Sequence, residues 1–431
     1  MRLIKRLAAG IVAVSLLATP AQAEDLVKLY KYLHAHPELS LRETKTAALL
    51  AGKLRDMGYD VTEHVGGTGV VAILKNGPGP TVMIRADMDG LPVKEQTGLP
   101  YASTVVTKNR SDIEKPAMHA CGHDIHMTVL MGTAEKMRIN RDKWSGTLML
   151  ILQPAEELGL GAGAMLKDGL FERFPRPDYN LALHDKATLA AGKVGIVPGW
   201  ALANVDSVDI TVRGIGGHGA YPHTTRDPIV IAANLVMALQ TIVSRETNPL
   251  DSAVVTVGSI HGGTKHNIIG DEVRLQLTLR SYKDDVRMNT ISSIKRMAKN
   301  LGRTYGLPED KLPIVTVRDA EFTPATYNDP ALGAWIRASI SKAIGPENVR
   351  DMEPVMGGED FGAYGRVEPK IPSFLFWLGA VDPKDIEEAK KTGKRLPSLH
   401  SPFFAPDYKP TIETGVAAMS AAAMDLMKKD K

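Results

Sequence analysis

The chain has 431 residues, 44% of them apolar, and a net charge of +3 at neutral pH, a balance typical of globular proteins. Basic and acidic residues are interspersed, which argues against a nucleic-acid-binding surface. The single cysteine, Cys121, excludes an intramolecular disulfide framework.

Residues 1–23 have the pattern of a secretory signal. Arg2, Lys5 and Arg6 precede a short apolar stretch, and the small residues at 21–23 form a cleavage site. The stretch is too short for a permanent membrane span, although an uncleaved anchor is the alternative. No later segment is expected to be long and apolar enough to cross a membrane. We therefore expect an exported protein, periplasmic or secreted, whose remaining length favours two domains.

The N-terminal half alternates between helix and strand patterns. Helical spacing covers residues 43–57, 123–137 and 161–167, and apolar strand patterns cover residues 70–74, 81–85, 147–152 and 179–183. Alternation of this kind predicts a doubly wound α/β sheet.

Polar residues directly follow three of these strands. Asp87 and Asp89 follow the second strand, Glu156 and Glu157 follow the third, and His184 ends the fourth. Because the carboxyl ends of parallel strands meet at one edge of a sheet, these side chains are expected to converge there, where ligands bind in open α/β sheets.

The pattern changes after about residue 200. Strands at 205–212, 253–260, 272–280 and 313–317 are interspersed with helical spacing at 228–243 and 291–301. The order β-α-β-β-α-β predicts a ferredoxin-like module. We expect one domain formed by residues 24–200 and 318–431, interrupted by this inserted module at residues 201–317.

Two adjacent carboxylates repel each other unless a cation or a proton lies nearby. Glu157 is therefore a candidate metal ligand. Glu156 is a candidate general base that moves a proton from water to a leaving nitrogen, with a supporting role next to the ligands as the alternative. Asp89 could assist catalysis by orienting a ligand imidazole, or it could cap a turn.

Cys121 and His123 lie two residues apart in a glycine-containing turn, where both side chains can face one ion. This spacing alone fits a buried cysteine beside a helix cap equally well. Together with Glu157, His184 and His400, however, it gives one bridging carboxylate and four terminal ligands, the set expected of a two-metal hydrolase. The mixture of thiolate, imidazole and carboxylate favours zinc, with manganese, cobalt or nickel as alternatives.

Three residues of the inserted module are candidates for substrate binding. His218 lies in a glycine-rich segment, where it could donate a hydrogen bond to an oxyanion or simply belong to a flexible turn. Asn267 and Arg280 lie at strand ends and could hold a substrate carboxylate, Arg280 in a bidentate manner. Solvated surface positions are the alternative for both.

At these residues the chain resembles the M20 metallopeptidases, in the branch of bacterial amidohydrolases and plant auxin-conjugate hydrolases. The matching motifs run in family order through nearly the whole chain after residue 23, at residues 34–38, 85–92, 118–124, 153–157, 216–223, 357–361 and 400–402.

The resemblance implies a zinc-peptidase-like catalytic domain with an inserted lid and dimerisation domain. The implied ligands of two divalent metal ions are Cys121, His123, Glu157, His184 and His400. It also places the base at Glu156 and implies that His218 reaches the active site of the partner subunit in a homodimer. Members of this branch hydrolyse N-acyl amino acids, and some cleave dipeptides.

The chain departs from the family pattern at residues 185–187, 267–270 and 277–280, all near positions expected to contact substrate. The leading hypothesis is an exported binuclear metal-dependent amidohydrolase acting on N-acyl amino acids or small peptide conjugates. The alternatives are a dipeptidase or exopeptidase, an enzyme with Cys121 as nucleophile, and a non-catalytic binding module on the same fold.

Overall fold

The computed structural model describes residues 20–429. Residues 1–19 of the predicted signal segment lie outside the described residues. Residues 20–23, the end of that segment, form the start of the first helix.

The helices are α1 Pro20–Ala35, α2 Thr44–Asp56, α3 His123–Ile139, α4 Gly161–Lys167, α5 Leu170–Arg173, α6 Pro228–Thr241, α7 Asp284–Thr304, α8 Pro330–Ile344, α9 Gly362–Gly365, α10 Pro383–Thr392 and α11 Tyr408–Leu426. The strands are β1 Asp60–Val65, β2 Gly69–Asn76, β3 Thr81–Asp87, β4 Val106–Lys108, β5 Glu114–Pro116, β6 Gly146–Gln153, β7 Tyr179–Ala190, β8 Val194–Ile196, β9 Gly199–Leu202, β10 Asn204–Arg213, β11 Gly217–His218, β12 Ala253–Gly262, β13 Ile268–Ile269, β14 Glu272–Ser281, β15 Ile314–Val317, β16 Thr326–Asn328, β17 Val349–Asp351 and β18 Ser373–Val381.

The larger sheet has eight strands in the order β1-β2-β6-β3-β7-β18-β8-β17. Its centre, β6, β3, β7 and β18, is parallel, whereas β2 and β8 pair antiparallel with β6 and β18. β3 and β6 are buried along almost their whole length, as expected for parallel strands covered on both faces. The predicted α/β fold class is confirmed.

Alternate residues of each central strand belong to separate cores on the two faces of the sheet. In β6, Leu148, Leu150 and Leu152 pack into a core shared with α1, α2, α3, α8 and α11, and Met149 and Ile151 pack into a core shared with α4, α5 and α9. The sheet is therefore held rigidly between two helical layers, and functional side chains at its edge have a fixed support.

The second sheet has four antiparallel strands in the order β12-β14-β10-β15. With α6 and α7 it has the predicted β-α-β-β-α-β order, and a third core lies between the helices and the sheet. β10 alternates strictly between buried and partly exposed residues, so one face of this sheet packs on the helices. The chain leaves the main body after β9 and returns at β16, and these two strands pair with each other.

Two expectations for these elements were wrong. His184 does not end its strand, because β7 continues to Ala190 alongside β18. The helical stretch Pro228–Glu246, with a mean hydropathy of 1.5, is long and apolar enough to cross a membrane by length and composition. One side of this stretch packs on the four-stranded sheet through Ile231 and Leu235. Packing within the protein core therefore accounts for these apolar residues.

Candidate metal centre

Three parallel strands bring the predicted functional residues to one edge of the large sheet. Asp87, the last residue of β3, pairs with Gln153, the last residue of β6. A 3-10 turn at Glu156–Leu158 follows β6, and His184 lies on β7 next to Trp377 of β18. The edge predicted from the strand order is therefore the place where these side chains meet.

The turn before α3 presents two further side chains to this edge. Gly122 has a φ of 76°, a left-handed conformation that favours glycine, and it places Cys121 just before the helix and His123 at its first residue. A loop from far along the chain joins them, because His400 N–H donates to the carbonyl of Ala120 at 2.8 Å.

The five predicted metal ligands form one cluster. Cys121 Sγ lies 3.2 Å from His400 Nε2 and 3.6 Å from His184 Nε2. Glu157 Oε1 lies 3.5 Å from His400 Nε2 and 3.9 Å from His123 Nε2. The ligand atoms of Cys121, His123 and His184 lie within 4.8 Å of one another, as do those of Cys121, Glu157 and His400. Two overlapping triads sharing a thiol are a geometry suited to neighbouring ions.

The chemistry of this cluster fits divalent cations. Both ring nitrogens of His123 and Oε1 of Glu157 are buried without a hydrogen-bond partner, which is costly unless another group satisfies them. Burial raises the pKa of the Cys121 thiol well above its usual range, with Glu157 contributing further, and burial raises the pKa of Glu157 to about 7. A bound cation would reverse both effects by favouring the charged forms.

The ring of His184 is oriented for ligation. Its Nδ1 donates a hydrogen bond to the backbone carbonyl of Asp185 at 2.8 Å. This contact keeps the ring proton on Nδ1 and leaves the lone pair of Nε2 facing Cys121, which is the arrangement commonly found for metal-bound histidines.

Asp89 holds the turn that carries the two glutamates. Its Oδ1 accepts from Glu156 N–H and its Oδ2 from Glu157 N–H, each at 3.1 Å, and Oδ1 also lies 3.4 Å from His123 Nδ1. Ala155, with a φ of 50°, opens this turn. Asp89 therefore contacts both the candidate ligand His123 and the turn that carries the glutamates. These contacts correspond to the two alternatives in the sequence analysis, orienting an imidazole and capping a turn.

Glu156 lies at the margin of the cluster, with its Oε2 3.8 Å from His123 Nε2. Burial raises the pKa of Glu156 well above its usual range, and the carboxylates of Glu359 and Glu157 add to this effect. A carboxylate that binds a proton this readily has the property required of a general base.

Sequence analysis missed a buried ionic network behind Glu156. The guanidinium of Arg85 contacts Asp87 at 2.6 Å, Glu359 at 2.8 Å and Asp360 at 3.0 Å. Burial opposes ionisation, but Arg85 holds the pKa of Asp87 well below its usual range. The Arg-Ala-Asp sequence at the end of β3 and the acidic pair at residues 359–360 could have indicated this network. Arg85 and Glu359 are 274 residues apart, however, so the sequence does not show that they pair.

His126, one helical turn after His123, was also missed. Its Nδ1 donates to Asp87 Oδ1 at 2.6 Å, and its Nε2 accepts from Asp185 N–H at 3.0 Å. The spacing of three residues on one helix could have indicated that both rings face the same side.

The predicted substrate-binding residues lie on the second sheet and on or next to the separate two-stranded sheet formed by β11 and β13. His218 is exposed, and its Nδ1 accepts from Ala220 N–H at 3.0 Å, which leaves the ring proton on Nε2. Asn267 lies just before β13, where its carbonyl accepts from Gly219 N–H. Arg280 is half-buried near Gly358, and its Nε donates to Thr278 Oγ1 at 3.1 Å. None of their hydrogen bonds within residues 20–429 reaches the ligand cluster.

Comparison with known proteins identifies the family of this chain. Residues 83–425 match the sequence model of peptidase family M20/M25/M40. An N-acetyl-L-cysteine deacetylase from Bacillus subtilis is 37% identical over 355 residues, covering 82% of this chain and 80% of the relative. The thermostable carboxypeptidase 2 of Saccharolobus solfataricus is 36% identical over 374 residues, covering 84% and 88%. A crystal structure of a dinuclear metal-binding M20 peptidase from Bacillus subtilis aligns with a TM-score of 0.73 at 28% identity, covering 94% of this chain and 99% of that one.

Proposed function

Since the chain belongs to peptidase family M20/M25/M40 and is therefore a metal-dependent hydrolase of amide bonds, we propose that it is a binuclear amidohydrolase that cleaves N-acyl amino acids or small peptide conjugates. One observation carries the proposal: five candidate metal ligands converge beside a sixth residue, Glu156, that is suited to proton transfer, and two of the five, His123 and Glu157, have buried atoms without a hydrogen-bond partner. The donor set favours zinc.

The proposed reaction divides the work between the cluster and the surrounding side chains. Two divalent ions held by the five ligands would polarise the scissile carbonyl and lower the pKa of the attacking water. Glu156 accepts the proton of that water and delivers it to the leaving nitrogen as the C–N bond breaks, giving a carboxylate and an amine. Asp89 holds Glu156 in place through its backbone N–H.

The second sheet would supply the remaining contacts with substrate. His218 carries its ring proton on Nε2 and can donate it in a hydrogen bond to the developing oxyanion. Arg280 and Asn267 would hold the substrate carboxylate. Burial lowers the pKa of Arg280, and a bound carboxylate would compensate for that desolvation.

We also propose that the protein is a homodimer formed through the second sheet. Three apolar side chains of α6 are exposed to solvent, namely Ile229, Val230 and Met237. Met237 is the most exposed of them, at 71%. β12 is an edge strand of the same sheet. A contiguous apolar helix face next to an unpaired edge is a surface suited to a second copy.

The N-terminal pattern supports export, so the proposed location is the periplasm or the extracellular space. A dipeptidase or exopeptidase is the second candidate, and the carboxypeptidase relative favours it. Both activities use the same metal centre and differ only in which group lies on each side of the amide.

The test is metal content of the purified protein, paired with hydrolysis of N-acyl amino acids and dipeptides before and after chelation. About two ions per chain, with activity lost on chelation and restored by zinc or another divalent ion, is the expected result. Preference for acyl amino acids over dipeptides separates the two candidates. Activity that persists in metal-free protein would overturn the ligand assignment and favour Cys121 as a nucleophile.

A further inference from the structure

Lys186 lies two residues after the ligand His184, in the segment where the sequence departs from the family pattern. The side chain is partly buried at the end of the parallel part of β7. Its strand partner is Gly379, which has no side chain. The position is therefore unusual for a lysine, which normally keeps its ammonium in water.

Within residues 20–429, the Lys186 ammonium makes no hydrogen bond and no ion pair. Its contact is with the ring of Trp377, whose centroid lies 4.2 Å from Nζ. By contrast, the buried guanidinium of Arg85 contacts three carboxylates. A half-buried cation without an anion is a group that a ligand carboxylate would stabilise.

Trp377 connects this cation to the metal centre. The indole is almost fully buried and lies edge-on to the ring of His184, with the two centroids 5.7 Å apart. Residues 184 and 186 point to the same side of β7, because side chains alternate along a strand. The ammonium and the imidazole of the candidate ligand His184 therefore lie against one indole.

We propose that Lys186 is a specificity-determining residue whose ammonium binds a second carboxylate of the substrate, in addition to the α-carboxylate assigned to Arg280 and Asn267. This inference rests on the proposed amidohydrolase function. The second carboxylate can belong to the side chain of the amino acid or to a dicarboxylic acyl group, and the chemistry recognised at Lys186 is the same in both cases.

Two matched substrate pairs test the inference and separate the two sources. N-acetylglutamate and N-acetylglutamine differ by one charge on the amino-acid side, and N-succinyl-leucine and N-succinamoyl-leucine differ by one charge on the acyl side. The wild type should favour the acidic member of one pair by about ten- to a hundredfold in kcat/KM, the range expected of one hydrogen bond to a charged group. The pair that shows the preference identifies the source.

The variant K186M retains a long apolar side chain over Trp377 and removes the charge. It should lose the preference mainly through a higher KM for the acidic substrate, while kcat/KM for the neutral member stays unchanged. K186R should retain the preference. K193M is the matched control, because the Lys193 ammonium is hydrogen-bonded to Asn348 Oδ1 and should not affect either pair.

Three results would overturn the role of Lys186. They are a wild type without preference in either pair, a K186M variant that loses activity on both members equally, and hydrolysis of other N-acyl amino acids but of neither pair. All three leave the amidohydrolase function standing. Failure to hydrolyse any amide with metal bound would instead contradict the proposed function itself.

Discussion

Glu156 and Glu157 are neighbours in the chain with different surroundings. Glu157 directs Oε1 between His123 and His400, both of which are candidate ligands. Glu156 instead lies towards Glu359, whose charge is a main cause, after burial, of the raised pKa of Glu156. Glu157 is therefore placed to bind metal and Glu156 to exchange a proton. The two side chains are chemically identical, so their different surroundings account for the different roles.

Replacement of Glu156 by Gln tests this division of roles. Since Gln retains the shape and cannot accept a proton, kcat should fall by about a hundred- to ten-thousandfold. Metal content should remain near that of the wild type, because Glu156 is not one of the five ligands. Steady-state kinetics with metal analysis on the same samples provide the measurement. Near-normal turnover in this variant would exclude Glu156 as the base.

His34 is a residue for which sequence analysis found no role, and it lies in a buried ionic contact behind α3. Its Nδ1 lies 2.7 Å from Asp124 Oδ2 and its Nε2 lies 3.0 Å from Glu95 Oε1. Burial alone would lower the pKa of His34, but the hydrogen bonds to both carboxylates raise it to about 10. Tyr30 and Tyr101 close the remaining sides of the ring.

The raised pKa of His34 predicts a pH-dependent contribution to stability. The imidazolium contributes fully below its unfolded pKa of about 6.5, and the contribution is lost as the pH rises through about 10. His34→Gln should therefore lower the free energy of unfolding by about 3–5 kcal/mol near neutral pH and by much less at high pH. Denaturant unfolding at pH 7 and above pH 10 measures this. The exposed His36, changed to Gln, is the control, and an equal loss at both pH values would contradict the argument.

At the scale of elements, the turn into α3 decides whether Cys121 and His123 meet. Gly122 has a φ of 76°, and a Cβ at this position would lie 2.2 Å from Oδ2 of Asp185. Asp185 in turn contacts His126 and His184, so a displaced carboxylate would disturb the rings around the centre.

Gly122→Ala should therefore reduce metal affinity and activity by about ten- to a hundredfold, the range seen when the groups supporting metal ligands are disturbed. Gly192→Ala is a matched control, since Gly192 has a φ of 86° and a Cβ added there would meet no atom within 4 Å. Both variants carry the backbone cost of about 1–2 kcal/mol for a left-handed residue. Calorimetric titration with metal would compare the affinities of the two variants. Equal metal affinity would show that the close contact between residue 122 and Asp185 does not affect metal binding.

The elements also show how far the sequence could predict the site. The apolar runs of β3 and β6, together with the polar residues that follow them, were enough to place Asp89, Glu156 and Glu157 at the sheet edge. The full length of β7 was not predictable from its own residues, because it depends on pairing with β18, almost 200 positions later. The Arg85 network was missed for the same reason, since its partners at 359–360 approach only in the folded chain.

At the scale of the whole molecule, the two sheets divide the proposed reaction between them. The large sheet and the loops at its edge carry the candidate ligands and Glu156, whereas His218 lies exposed on β11 of the inserted module. Within residues 20–429, His218 makes no contact with the ligand cluster of its own chain, so the proposed role of His218 requires another route to an active site. The apolar face of α6 supports a partner subunit as that route.

Mixing two inactive variants tests this arrangement directly. If His218 acts in the partner's active site, a dimer of one His218→Ala chain and one Glu156→Gln chain contains one complete site and one site with both defects. Random reassortment at equal amounts gives half heterodimers, so activity should return to about a quarter of the wild-type value. The mixture should show no recovery if His218 serves its own chain. Met237→Glu, which places a charge on the apolar face of α6, should abolish both the dimer in sedimentation experiments and the recovery on mixing.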